Sequence, residues 1–229
     1  MTAGKCKIAI TVFAFALCST LIIGCSKEKG EYYNYQNNQK TINGSAYDFL
    51  VSQKGVYDSF LLVVNRVTGL SDSLKTHTNM TLFAVPNTCF TIALQNLNEA
   101  RVQAVPQKAA LSLSTLDSTQ LDTLVYRYLI PGVFTSDTLK TVQDGFTVNC
   151  LKYGYAMHLK YIKNSASGWD GGGPSAIAFS DMKGSIFERD WVTTPTVSVN
   201  IKTNNAVVHV LSAGHDFGFG SEFITRMNK

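Results

Sequence analysis

An α+β fold is predicted for this chain, with helices gathered early and strands late rather than alternating. Three observations carry it. Apolar residues fall at helical spacing between Val56 and Val67, Met80-Thr-Leu-Phe-Ala-Val reads as a buried strand, and Thr196–Ile201 and Ala206–Ser212 read as two closing strands.

The first residues follow the order of a secretory signal. Lys5 and Lys7 are basic, an apolar run covers Ile8 to Leu17, and Leu21-Ile22-Ile23 continues it after Cys18-Ser19-Thr20. Charge returns only at Lys27. Leu21-Ile-Ile-Gly-Cys25 resembles the bacterial lipobox, which implies acylation of Cys25 as a new N-terminus. The alternative is an uncleaved span, for which the run is short and broken by polar residues. Residues 1–24 are therefore expected to be a signal peptide, and the protein is expected to be held to a membrane by lipid on Cys25. Ser26 favours the outer membrane by the same resemblance, and leaves open whether the protein faces the periplasm or the surface.

Removal of residues 1–24 leaves 205 residues with 18 basic and 16 acidic side chains. That is enough chain for one domain with a sizeable core. The charges are scattered with no basic stripe, so nucleic acid is not an expected partner. Thirteen Phe, ten Tyr and two Trp in the whole chain suit a β-containing interior. Only Cys89 and Cys150 remain as side chains available for pairing, as buried thiols or as a disulfide.

Residues 25–40 are rich in Tyr, Asn, Gln and Lys without apolar periodicity and read as a flexible tether. Residues 41–229 read as a single domain. A short helix starts at Ser45, and Val56, Phe60, Val63, Val64 and Val67 line a second that Gly69 closes. Asn87, after Pro86, is placed to cap a helix from Thr88 to Leu97. Asp117 with Gln120 looks like a capping box for a helix from Ser118 to Leu129, which Pro131-Gly132 stops. Asp144-Gly145 is a hairpin signal before alternating Phe146, Val148 and Cys150. Tyr153 to Pro195 reads as a long irregular insert around Gly171-Gly-Gly-Pro174.

No constellation for catalysis stands out. There is no G-x-S-x-G, H-E-x-x-H, Walker or G-x-G-x-x-G motif, no C-x-x-C, and no His/Cys cluster. No metal or cofactor is expected. Asp181, Glu188 and Asp190 offer carboxylates for glycoside hydrolysis, but acids on a polar loop are usually only solvated. His209, between Val207 and Leu211 on one strand face, is expected to be a hydrogen-bonded structural residue. Asp72-Ser-Leu, Asp117-Ser-Thr, Asp122-Thr-Leu and Asp137-Thr-Leu resemble an O-glycosylation sequon of Bacteroidetes envelope proteins, and are equally ordinary capping chemistry.

Thr81-Leu-Phe-Ala-Val-Pro-Asn-Thr-Cys-Phe90 resembles the first conserved box of the fasciclin domain. Leu121 to Gly132, ending Tyr-Leu-Ile-Pro-Gly, resembles the segment before that family's central sheet. Asn204-Asn-Ala-Val-Val-His-Val-Leu211 resembles the second box. The segments occur in the family's order, and the resemblance extends to a Bacteroidetes branch of fasciclin lipoproteins. It implies a β-sandwich wedge with helices packed around it and a role in adhesion or extracellular assembly. Arg127 and Tyr128 stand where many members carry Tyr-His, a pair linked to receptor contacts.

The expected function is therefore non-catalytic: an envelope-anchored lipoprotein mediating adhesion or binding a protein or glycan. The alternative is an accessory subunit of an outer-membrane nutrient-uptake complex. Candidate contacts are Trp169 and Trp191 in the insert, with Tyr128 and Pro131 as a second face.

Overall fold

A computed structural model describes residues 40–163, 165 and 172–229. Cys25, the tether up to residue 39 and Trp169 lie outside the described residues. No helix among the described residues is long and apolar enough to cross a membrane.

Three helices open the described chain. The first, α1 (Ala46–Ser52), begins with a capping box in which Ser45 and Asp48 satisfy each other's backbone amides. Helix α2 (Asp58–Arg66) buries Phe60, Val63 and Val64, one stripe at i, i+3, i+4 spacing. Gly69 follows with φ of 76°, and its left-handed turn starts α3 (Leu70–Thr76) at once. That helix has only Leu70 and Leu74 as core residues, too few for periodicity to announce it.

Strand β1 (Met80–Ala84) is buried at every position, as its apolar run requires. Helix α4 (Asn87–Val102) follows, but Asn87 does not cap it. Its carboxamide accepts from the Ser59 N–H at 2.8 Å and donates to the Gly55 carbonyl at 3.0 Å. Asn87 thus satisfies an orphan amide in the first turn of α2, a cap supplied from another element. Helix α5 (Ser118–Val125) is capped by Asp117, which accepts from the Thr119 and Gln120 amides. The reciprocal half of the expected box is missing, because Gln120 instead accepts from Arg226.

The remaining strands are β2 (Leu129–Pro131), β3 (Phe146–Asn149), β4 (Ala156–Lys163), β5 (Ser175–Asp181), β6 (Val192–Lys202) and β7 (Ala206–Leu211). Two short helices, α6 (Ser136–Leu139) and α7 (Ser221–Met227), complete the chain. The strands form one mixed sheet in the order β2-β1-β7-β6-β5-β4-β3, with β1 and β7 parallel and the other pairs antiparallel. Its two edges meet where the Leu151 N–H donates to the Leu129 carbonyl at 2.7 Å, so the sheet is nearly closed. The architecture is α+β, as predicted.

Residues 153–195 are a correction to the sequence reading: the expected irregular insert carries two strands and the start of a third among its described residues. Strands β4 and β5 pair from Met157↔Asp181 to Lys163↔Ser175, and β6 pairs onward from β5. Lys160, Lys163, Ser175, Ser180 and Asp181 in these strands blur the apolar alternation that would have announced them. Gly145 also departs from expectation, since no hairpin forms there. Its φ is 81°, and a Cβ would sit 2.4 Å from the Leu159 carbonyl oxygen, so the chain needs glycine to cross β4. At the centre Phe83 of β1 stacks on Phe179 of β5 at 4.0 Å, joining the halves of the sheet.

Candidate functional site

Among the described residues, three networks gather most of the buried polar side chains, and each is spent on the scaffold. In the first, His209 is fully buried on β7. Its Nε2 lies 2.8 Å from the Phe134 carbonyl, which can only accept, so Nε2 carries the proton. The Nδ1 lone pair then accepts from the Asn200 N–H at 3.2 Å. Asn200 has φ of 61° within the irregular part of β6 and clasps Ser136 through both amide atoms. Burial pulls the His209 pKa down to about 4, so the ring is neutral at physiological pH.

The second network centres on Tyr128, which is fully buried and stacked by Phe217 and Phe219. Gly218 N–H donates to its hydroxyl at 2.9 Å, leaving the phenolic proton for His215 Nε2 at 2.6 Å. The other ring nitrogen donates to Thr194 Oγ1 at 2.8 Å. Burial raises the Tyr128 pKa well above its usual range and lowers that of His215 to about 3. Tyr128 is therefore a core residue, which corrects its assignment as a surface contact.

The third network surrounds Arg127, also fully buried. Its guanidinium donates to Asp181 at 2.9 Å and to both Glu222 oxygens at 2.6 and 2.7 Å, and stacks 3.8 Å from the Tyr155 ring centroid. Tyr155 Oη and the Lys183 N–H both donate to the other Asp181 oxygen. Burial alone would raise Glu222, but hydrogen bonds from Arg127 and Arg226 outweigh it and hold the carboxyl below its usual range. Asp181 is thus committed inside the fold, while Glu188 and Asp190 are exposed on a separate turn.

That turn, residues 182–191 between β5 and β6, is where apolar chemistry meets water. Ile186 is 81% exposed and Phe187 56%. The turn is closely braced. Lys183 and Gly184 take left-handed φ values of 49° and 71°. The Ser185 hydroxyl donates to Asp190 and accepts from the Phe187 N–H. Asp190 N–H donates to the Phe187 carbonyl and Trp191 N–H to that of Glu188. The half-buried Trp191 rests 4.7 Å from the His158 ring and donates its indole N–H to the Ser185 carbonyl at 2.8 Å. At the root, Asp181 links the turn to the Arg127 network through Lys183. The result is a rigid apolar prong.

The sequence reading placed Trp191 here, and the structure assigns it to the base of the prong rather than its tip. Ile186 and Phe187 were not singled out, although two bulky apolar residues directly after Gly184-Ser185 are the signal that marks them. Pro131 is exposed, and a groove of about 420 Å3 lies among Thr78, Asn79, Val133 and Lys202–Val207. Asn87 and His209 hold structural positions. Cys89 and Cys150 are free, buried thiols, and burial raises both, Cys89 to about 11.

No family model matches the chain, and no curated protein matches it. Among solved structures, the chain is similar to a FAS1 domain pair from the insect cell adhesion molecule fasciclin I, at 13% identity and a TM-score of 0.46. The similarity covers 70% of this chain and 44% of that one, so this chain spans under half its length.

Proposed function

We propose that this chain is a lipid-anchored, fasciclin-type binding domain of the bacterial cell envelope, non-catalytic, serving adhesion or ligand binding. The observation that carries the binding role is the prong: Ile186 and Phe187 stand in water on a turn whose own hydrogen bonds hold it ready for contact. The buried ionisable groups Arg127, Asp181, Glu222, His209 and His215 all work as structural partners, which favours binding over catalysis.

Two further features support the fasciclin reading. The sequence boxes resembling that family lie side by side as the parallel strands β1 and β7, in the register Thr81↔Val207 to Ala84↔Val210. Asn87 and His209, one in each box, each hold a distant segment in place. Anchoring rests on the Leu21–Cys25 motif.

The test uses the mature chain as bait against envelope extract and a glycan array. Capture that Ile186→Asp abolishes is the expected result, and equal capture by parent and variant refutes the role of the prong. Recovery of an outer-membrane transporter would identify the protein as an accessory subunit of nutrient uptake. Separately, Cys25→Ala should move the protein out of the membrane fraction, and a variant still membrane-integral refutes the anchor.

A further inference from the structure

We infer that the prong docks on a lipid surface, the same bilayer that holds the acyl group on Cys25. This rests on the anchor and the binding role proposed above, and it names the class of ligand.

The chemistry of the turn favours a bilayer interface over a polar ligand. Its side-chain and backbone polar groups are largely satisfied within the turn, through Ser185, Asp190 and the Trp191 indole. Those groups are spent on one another rather than offered to a glycan, and the donors left on the turn are cations on its flanks. An apolar tip with its polar groups already paired also enters an apolar medium without stranding them. What faces outward is Ile186 and Phe187, with Trp191 at the base and three cations close by: Lys160, Lys183 and Arg189. The neighbouring acids Glu188 and Asp190 are exposed too, but both lie near these cations. Glu188 lies 3.9 Å from Lys160, and Asp190 accepts from Ser185 and lies 3.7 Å from Arg189. Apolar tip, amphipathic ring and basic collar form the sequence of chemistries met on passing from acyl chains through headgroups.

Reach is sufficient. The described chain begins at Lys40, whose carbonyl accepts from Lys202 N–H at the far end of β6 from the prong. Eleven residues of β6 span roughly 35 Å. Fourteen residues lie between Cys25 and Lys40, and the fifteen steps from one to the other can extend about 50 Å. The prong can therefore touch the bilayer while Cys25 stays in it. Tethering makes this second contact intramolecular, so a weakly inserting tip suffices. The groove at the Lys202 end would then face away from the membrane.

The experiment uses the mature chain with Cys25→Ser, so that no acyl group contributes, and vesicles of phosphatidylethanolamine with phosphatidylglycerol. Co-sedimentation is expected, with a blue shift of tryptophan emission. Ile186→Asp and Phe187→Asp should each reduce the vesicle-bound fraction roughly tenfold or more at unchanged melting temperature. Val105→Asp, at a residue 99% exposed elsewhere, should bind as the parent does. A parent that stays in the supernatant, or an Ile186→Asp variant that sediments with the parent, overturns the inference. If Phe187→Asp melts early, Ile186→Asp at the more exposed position decides alone. Prong-dependent capture of a protein, with none by vesicles, overturns the lipid assignment while leaving the binding role standing.

Discussion

The buried polar centre and the β5–β6 prong solve opposite problems with the same means. In the centre, Arg127, His209 and His215 are costly groups in an apolar place, and hydrogen bonds make them tolerable. In the prong, apolar side chains stand in water, and hydrogen bonds keep them from collapsing onto the domain. The residues that look chemical are therefore scaffold, and residues that look like core stand exposed. Asp181 joins the regions, pairing with Arg127 through one oxygen and with the Lys183 amide through the other.

Asp181→Ala attacks that junction and carries the largest expected effect. Removing one partner of a buried ion pair leaves the other uncompensated, at about 3–5 kcal/mol. Chemical denaturation should show this, and a loss below ~1 kcal/mol would mean that Glu222 alone satisfies Arg127. Combining Asp181→Leu with Arg127→Met should recover much of the loss, since two apolar residues can replace a buried pair.

His209→Ala stands next. It strands the Phe134 carbonyl and the Asn200 amide and leaves a cavity beside Phe83, together about 3 kcal/mol. Denaturation midpoints at constant m-value check it, and a near-neutral variant would show that water replaces the ring.

Acid gives a third, smaller contrast. His209 and His215 have folded pKa values of about 4 and about 3, below the unfolded value near 6.5. The unfolded state then binds protons first, so stability is complete above pH ~6.5 and falls as pH drops toward the folded values. By pH 5 each ring should account for roughly 2 kcal/mol. The His209→Ala variant should lose about half of that slope between pH 7 and 5. An unchanged slope would assign the acid sensitivity to other groups.

How far each region was legible follows from how local its signals are. The β1 and β7 segments announce themselves as short apolar runs, and His209 inside one of them is buried and hydrogen-bonded. The function of Asn87 was only half visible, because a capping residue in sequence does not say which helix it caps. Arg127 finds Asp181 and Glu222 across 54 and 95 residues, a pairing no local pattern encodes. One trace of it existed: alternation places Asp181 on the face of Ile177 and Phe179, and an acid on an inward face requires a buried cation or donor. Strands β4 and β5 were hidden by their own polar residues. The prong went unread for a different reason, since exposure of Ile186 and Phe187 is a property of the packed turn.

The smallest effect tests whether the prong is braced or merely exposed. Ile186→Asp and Phe187→Asp remove nothing that the fold buries, so stability should stay within about 0.5 kcal/mol of the parent. Trp191→Phe is more discriminating. Phenylalanine keeps a ring against His158 but loses the indole donor to the Ser185 carbonyl, a bond worth about 1 kcal/mol. Because that bond closes only the turn, the loss should appear as local opening rather than global unfolding. Hydrogen exchange at the Asp190 and Trp191 amides should accelerate several-fold, while the core strands β1 and β7 keep their protection. If the melting temperature instead falls as far as in His209→Ala, Trp191 belongs to the core and the two regions are one. If exchange at the turn does not change, its rigidity comes from the Ser185–Asp190 clasp, and Ser185→Ala becomes the variant that must loosen it.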